Sequence, residues 1–333
     1  MTALDSQLGV VAIGRNEGES LRACLESASR DVTSLVYVDS GSTDGSVEVA
    51  TSFGAFVVEL DPGVPFTAAR ARNAGLERLV KETPSLRYVQ FVDGDCEFEE
   101  GWMDAAMHEL QANSWAVVCG RRRERHPDVS VYNLLCDMEW DTSTGSVAAC
   151  GGDAIIRIDP LLAVGGYCDD LIAGEEPELC VRLAEQGGRI LRMDVPMTIH
   201  DAKMFHVSQW WQRSKRAGHA VAEAADRHPG FADGASERAV LSAWIWALAL
   251  PLLSLMLATQ ASAAFLLLLS LYPLQAIRIG RRSPRPNFSR RDNMIYGISC
   301  VASKFPQWQG AMRFALGRFT GRRSRLIEYK GTS

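Results

Sequence analysis

Short apolar runs at residues 8–13, 35–38, 55–60 and 88–92 punctuate the first part of the chain, each bounded by polar turn residues. Such runs predict strands buried on both faces, as in parallel sheets. After the first, Leu21, Cys24, Leu25 and Ala28 recur at helical spacing, and Asn16 with Glu19 three residues on predicts a capped helix start. The unit repeats through DSGSTDGS and a helical stretch to about Phe53, then through AARARNAGLERLV, a helix over 68–80. This alternation predicts an α/β protein with a doubly wound, mostly parallel sheet. Later the pattern loosens. A strand is expected at 115–119, the basic run 121–125 reads as solvated surface in preference to a phosphate site, and 174–188 is expected to form a helix with Leu179, Cys180 and Leu183 on one face.

Two further apolar runs, 239–258 and 261–279, are separated only by Thr259 and Gln260. Each is long enough to cross a hydrocarbon core of ~30 Å, and the short turn permits only a helical hairpin. Arg227 and Arg238 precede the pair, and Arg278, Arg281, Arg282 and Arg285 follow it, so both outer ends should be cytosolic. The competing readings are a helical pair buried in a soluble body and a re-entrant hairpin. Residues 289–323 mix apolar and basic positions, as an interfacial helix does. The expected organisation is a catalytic domain over 1–205, an amphipathic linker helix over 206–238, the hairpin over 239–279 and a basic interfacial segment over 280–333.

Charge sharpens this division. The net charge of −5 conceals a basic end, with thirteen Lys or Arg from Arg278 onward against Asp292 and Glu328. The body is strongly acidic, so nucleic acid is not an expected partner, whereas the basic end suits anionic membrane lipids. Eight scattered cysteines show no CxxC pair and read as reduced core thiols. The start of the sequence has no basic and apolar pattern of a secretory signal, so the body is expected at the cytosolic face of the inner (cytoplasmic) membrane. Neither GxGxxG nor GxxxxGK[ST] occurs, which argues against a dinucleotide-binding oxidoreductase and a P-loop nucleotidase.

The chemistry concentrates in FVDGDCEF, where the fourth strand ends in Asp93, Gly94 and Asp95. Two acids at the carboxyl end of a parallel strand can share a hard divalent cation, Mg²⁺ or Mn²⁺. A solvated turn is the plainer alternative. His200, beside Asp201 after a strand-like stretch, either completes the metal shell or binds diphosphate, or is merely hydrogen-bonded to Asp201 or backbone. Trp210 and Trp211 form a stacking platform or pack in the core.

The ordered motifs VVAIGRNEGESLRACLES, VDSGSTDGS, ARNAGL, FVDGDCEF, GGDAIIRIDPLLAVGGY and GEEPELCVRL, over roughly residues 9–200, resemble family 2 glycosyltransferases of the GT-A fold, particularly membrane-attached bacterial enzymes of surface polysaccharide synthesis. The resemblance implies a nucleotide-sugar donor, UDP by family frequency, and a lipid-linked or saccharide acceptor. By position, Glu17 and Asp39 would contact the nucleoside, and Arg72 and Asn73 would lie near ribose or diphosphate. Asp95 would be the principal metal ligand, with Asp93 nearer ribose or metal. Gly151, Gly152 and Asp153 would line the acceptor side, and Glu176, after Glu175, would be the general base of an inverting transfer. The chain departs from the family pattern at Ile13–Arg15, at Ser40 and at Glu176, where Asp is usual. Only SQWWQR loosely echoes the processive synthases' motif, so transfer of one sugar is expected. The competing classes are a DxD phosphatase with Asp93 as nucleophile and a non-catalytic membrane scaffold.

Overall fold

The computed structural model describes residues 7–30, 32, 34–282 and 285–321. The chain divides into two compact units, Met1–Arg125 with Trp140–Ala202, and His126–Glu139 with Lys203–Ser333.

In the first unit, β1 (Leu8–Gly14), β2 (Ser34–Asp39), β3 (Phe56–Glu59) and β4 (Tyr88–Asp93) alternate with α1 (Glu19–Ala28), α2 (Ser46–Ser52) and α3 (Ala68–Glu82). The strands pair in parallel in the order β3-β2-β1-β4. Successive residues such as Val10 and Val11, or Phe91 and Val92, are all fully buried, so both faces of these strands lose water. α3 sits close on this sheet because Gly75 has no side chain: a Cβ there would lie 2.3 Å from Val11 Cγ1. β1 lies between β2 and β4, with Gly14 opposite Asp39 and Ile13 opposite Asp93. The register therefore delivers both acids to one carboxyl edge, where the strand order reverses and ligands of open α/β sheets bind.

The predicted start of α1 needs correction. The helix begins at Glu19, and Asn16 does not cap it. Instead the Asn16 side-chain oxygen accepts the Thr43 N–H at 2.7 Å, and its backbone N–H donates to Ser42 at 2.9 Å, stitching the β1 loop to the β2 loop.

The unit continues with β5 (Cys96–Phe98), α4 (Trp102–Ala112), β6 (Trp115–Glu124), α5 (Val131–Trp140), β7 (Gly145–Val147), β8 (Ala154–Arg157), α6 (Ile158–Ala163), α7 (Glu175–Glu185) and β9 (Arg189–His200), most of α5 belonging to the second unit. The sheet extends as β4-β8-β6-β9-β5, with β7 also on β9. β8 runs antiparallel between β4 and β6, β6 pairs in parallel with β9, and β5 and β7 oppose β9. The basic run 121–125 is not the solvated patch its charge suggests. β6 carries through most of it, paired to β9 as far as Glu124 opposite His200, so its side chains point alternately. Arg123 is exposed while Glu124 is buried and accepts the Ala202 N–H at 3.0 Å.

The second unit holds α8 (Val207–Arg227), α9 (Ala235–Trp244), α10 (Leu250–Gln260), α11 (Leu271–Arg282), α12 (Arg290–Ala302) and α13 (Lys304–Thr320). α8 packs along α13 and α11 along α12. Trp210 and Trp211 belong to this packing: their indole N–H groups donate to Ser299 at 3.2 Å and Gln309 at 3.0 Å. α9 and α10 form one continuous helix, Ala235–Gln260, followed by a second over Ala263–Arg282, both long and apolar enough to cross a membrane. Only 17% of the first helix's most apolar stretch and 6% of the second's is buried, which leaves no core for the buried-pair reading. Residues 126–139 join this unit through Ser130 donating to the Met204 carbonyl and the Met204 N–H donating to Asn133 at 2.9 Å. Part of the expected basic segment, 283–284 and 322–333, lies outside the described residues.

Candidate active site

β4 ends in Asp93, whose carboxylate stands between two arginines. Arg72 of α3 reaches it at 2.9 Å and Arg122 of β6 at 3.6 Å. The Arg72 guanidinium also lies 3.0 Å from Glu175 and 3.0 Å from Glu176 in the first turn of α7, while Arg122 holds Asp153 at 2.6 Å. A continuous ion-pair chain, Asp153–Arg122–Asp93–Arg72–Glu175/Glu176, thus runs across the carboxyl edge of the sheet. Tyr167 and Trp140 flank it, their ring centres 5.6 Å from the Arg72 and 5.5 Å from the Arg122 guanidinium carbon. Burial opposes the Arg72 charge, but Glu176 and Asp93 outweigh it and raise the guanidinium pKa further above its ordinary value. Removing one partner of such a buried set leaves an uncompensated charge and typically costs about 3–5 kcal/mol.

Gly152 completes the packing. A Cβ at this position would lie 2.8 Å from Arg72 Nη2, 3.1 Å from Glu176 Oε1 and 3.2 Å from Asp93 Oδ2. Gly152→Ala is expected to push the arginine off its acids and to destabilise the protein by about 1–3 kcal/mol, the usual cost of overpacking. A thermal melt checks this, and an unchanged midpoint would show that the network gives way freely.

Burial pushes the Glu176 carboxyl up to about 7, and the adjacent Glu175 charge adds to the rise. A carboxyl tuned to that range can take a proton near neutral pH. Glu178, the third acid of the turn, is occupied with Arg182 at 2.7 Å.

Below this network, Asp95 is 3% exposed and its carboxylate meets His200 Nε2 at 3.3 Å, on the rung where Cys96 pairs with His200. Asp95, Cys96 and His200 bring ligand atoms within 4.8 Å of one another. Burial pushes the His200 imidazole down to about 4, and the Arg122 charge adds to the drop, so the ring is neutral at pH 7 and keeps a lone pair. Its Nδ1 is buried with no hydrogen-bond partner among the described residues. Burial also pushes the Cys96 thiol well above its usual range. The donor set that fits a hard or borderline divalent cation is therefore Asp95 and His200, with the protonated sulfur a poor ligand.

Residues 10–145 match the family described as Glycosyl transferase family 2. Glycosyltransferase AglE of Haloferax volcanii is 22% identical over 218 residues, 62% of this chain and 70% of that protein. Succinoglycan biosynthesis protein ExoA of Rhizobium meliloti is 26% identical over 214 residues, 59% of this chain and 64% of its own. Pre-mycofactocin glycosyltransferase of Mycobacterium tuberculosis is 27% identical over 172 residues, only 35% of its length. In structure, the chain resembles mannosyltransferase PcManGT from Pyrobaculum calidifontis, in complex with GDP-Man and Mn²⁺, at a TM-score of 0.63 and 17% identity over 93% of this chain and 87% of that one. Residues 10–145 carry a glycosyl transferase family 2 domain. The chain is a glycosyltransferase with the GT-A fold.

The transferase places its other expected site residues as follows. Asp39 is buried at the end of β2, where its carboxylate accepts the N–H groups of Gly41 and Ser42 at 2.9 and 2.8 Å and the Tyr37 hydroxyl at 3.0 Å. Glu17 lies by the same edge, half-buried, with its Cγ 3.2 Å from where a Gly14 Cβ would stand. Asn73 points away from the acid network: its amide donates to the Tyr167 carbonyl and to Asp169, both at 2.7 Å. Gly151 is exposed, whereas Asp153 is fully buried, accepting from Thr198 at 2.6 Å and from the Asp93 N–H at 3.3 Å. Enclosed in this way, Asp153 offers an acceptor no exposed oxygen. Sequence reasoning missed Arg122, Trp140, Tyr167 and Thr198. Arg122 is turned inward by the pairing of β6 with β9, which a run of charged residues does not announce.

Proposed function

We propose that this transferase moves one sugar from a nucleoside-diphosphate sugar, UDP-linked in the first instance, to a lipid-linked or saccharide acceptor of cell-surface polysaccharide synthesis, with inversion at the anomeric carbon. The observation that carries the reading is Glu176, a carboxyl tuned to neutral pH and linked through one buried arginine to the acid that ends β4. Glu176 removes the proton from an acceptor hydroxyl as its oxygen attacks the anomeric carbon, and the nucleoside diphosphate departs from the opposite face. Asp95 and His200 would hold Mg²⁺ or Mn²⁺, which when bound neutralises charge on the diphosphate. Glu17, Asp39 and Asp93 line the nucleoside and ribose side, and Gly151 and Gly152 the acceptor side.

The phosphatase alternative fits poorly, because a nucleophilic Asp93 would have to attack while held by both Arg72 and Arg122. The names of ExoA and AglE support saccharide transfer, and the GDP-Man in PcManGT makes GDP-mannose the second donor to try. The test is a panel of UDP-, GDP- and dTDP-sugars incubated with the full chain and Mn²⁺ or Mg²⁺. Metal-dependent release of the nucleoside diphosphate is expected from one of them, and no release from any would refute the reading.

The exposed helices Ala235–Gln260 and Ala263–Arg282 serve in this proposal as a membrane hairpin with its outer ends on the cytosolic side. The full chain is expected to float with phospholipid vesicles in a density gradient, to stay bound through a high-salt wash and to be freed by detergent. Recovery in the salt wash would leave only electrostatic attachment.

A further inference from the structure

The resemblance gives Arg72 and Asn73 to the donor, yet neither side chain is placed to receive one. Arg72 is 2% exposed, and both its terminal nitrogens are spent on carboxylates of the protein: Nη2 on Asp93, Nη1 on Glu175 and Glu176. The Tyr167 ring stands beside the guanidinium, and Gly152 leaves no room for even a methyl group at its edge. Asn73 uses both ends of its amide on the loop before α7, donating to the Tyr167 carbonyl and Asp169 and accepting the Tyr167 N–H at 2.9 Å. Six residues earlier, the hydroxyl of Thr67 donates to the Asp169 carbonyl at 2.9 Å while accepting the Arg70 N–H at the start of α3.

α3 is thus tied to the 167–169 loop at two points, and between them extends a charged arm that touches both the end of β4 and the start of α7. We infer that Arg72 and Asn73 are positioning residues: together they form a brace that fixes the distance from Asp93, on the donor side, to Glu176, the proposed base. Asn73 anchors the segment leading into α7, and Arg72 draws the first turn of α7 towards β4. The guanidinium is what joins the three carboxylates, at 2.9, 3.0 and 3.0 Å. Because transfer depends on the base meeting the acceptor hydroxyl at bonding range, a shift of about 1 Å can lower turnover ~100-fold with no loss of donor contact.

This rests on Glu176 being the base, so the test reads the brace with and without chemistry. The variants are Asn73→Ala, Arg72→Lys and Arg72→Gln in the full chain, with thermal melts to confirm folding. In the ligand-free protein, amide hydrogen exchange over 174–178 is expected to rise at least ~10-fold in Asn73→Ala and Arg72→Gln, as the anchored segment opens locally. With whichever nucleotide sugar the wild type turns over, kcat should fall ~10- to 100-fold while the donor KM stays within about threefold, and Arg72→Lys should recover part of the loss. A raised donor KM with unchanged kcat would return both residues to the donor and overturn the inference. Unchanged exchange in Asn73→Ala would also overturn it, even if no donor were ever found. A wild type inactive on every sugar, but with exchange altered as expected, would refute the functional reading and leave the brace standing.

Discussion

Replacing Glu176 by Gln should lower sugar transfer by at least ~100-fold, the lower end for loss of a general base, while donor and metal binding survive. The amide keeps the volume and a hydrogen-bonding oxygen beside Arg72, but it cannot take a proton. The pH profile gives a second, independent reading. Burial raises this carboxyl to about 7, so the base form predominates above that pH and turnover should fall about tenfold per pH unit below it. In Glu176→Gln this inflection should be absent from the residual rate. The rival is Glu175, which shares Arg72 but is more deeply buried, with its side chain 5% exposed against 15% for Glu176. An active Glu176→Gln enzyme beside a dead Glu175→Gln enzyme would move the base one residue upstream. Two active variants would sink the mechanism.

Asp95→Asn should abolish the metal-dependent part of nucleotide affinity, read by calorimetry with and without Mn²⁺. Size and shape are kept, and what disappears is the one anionic oxygen donor facing His200 in that buried cluster. A neutral imidazole and a protonated thiol offer a divalent cation little without it. Metal-dependent affinity equal to wild type would show that the cation binds elsewhere, with the second cluster of Asp93, Cys96 and Asp153 next in line.

The parallel half of the sheet could be read from the chain because its strands are buried on both faces, so short apolar runs separated by helical spacing suffice to find them. Asp93, Asp95, Glu175 and Glu176 were legible for a related reason: strand ends and helix starts are places where sequence marks position. Arg122 was not. A run of five charged residues looks the same whether it lies on a surface or in a ladder, and only the pairing of β6 with β9 turns alternate members inward. The tie between Asn73 and the 167–169 loop was equally hidden, since its partners lie more than ninety residues away and include a backbone carbonyl.

The excursion of residues 126–139 into the second unit constrains how such enzymes can be recombined. A cut at residue 203 looks like a clean boundary for exchanging the helical part between relatives, but it would separate Ser130 and Asn133 from Met204. The buried Leu135, Cys136 and Met138 would then face a foreign surface. A functional chimera therefore has to take two segments together, the inner helix and everything after Ala202, so the two parts must be inherited as an interrupted pair.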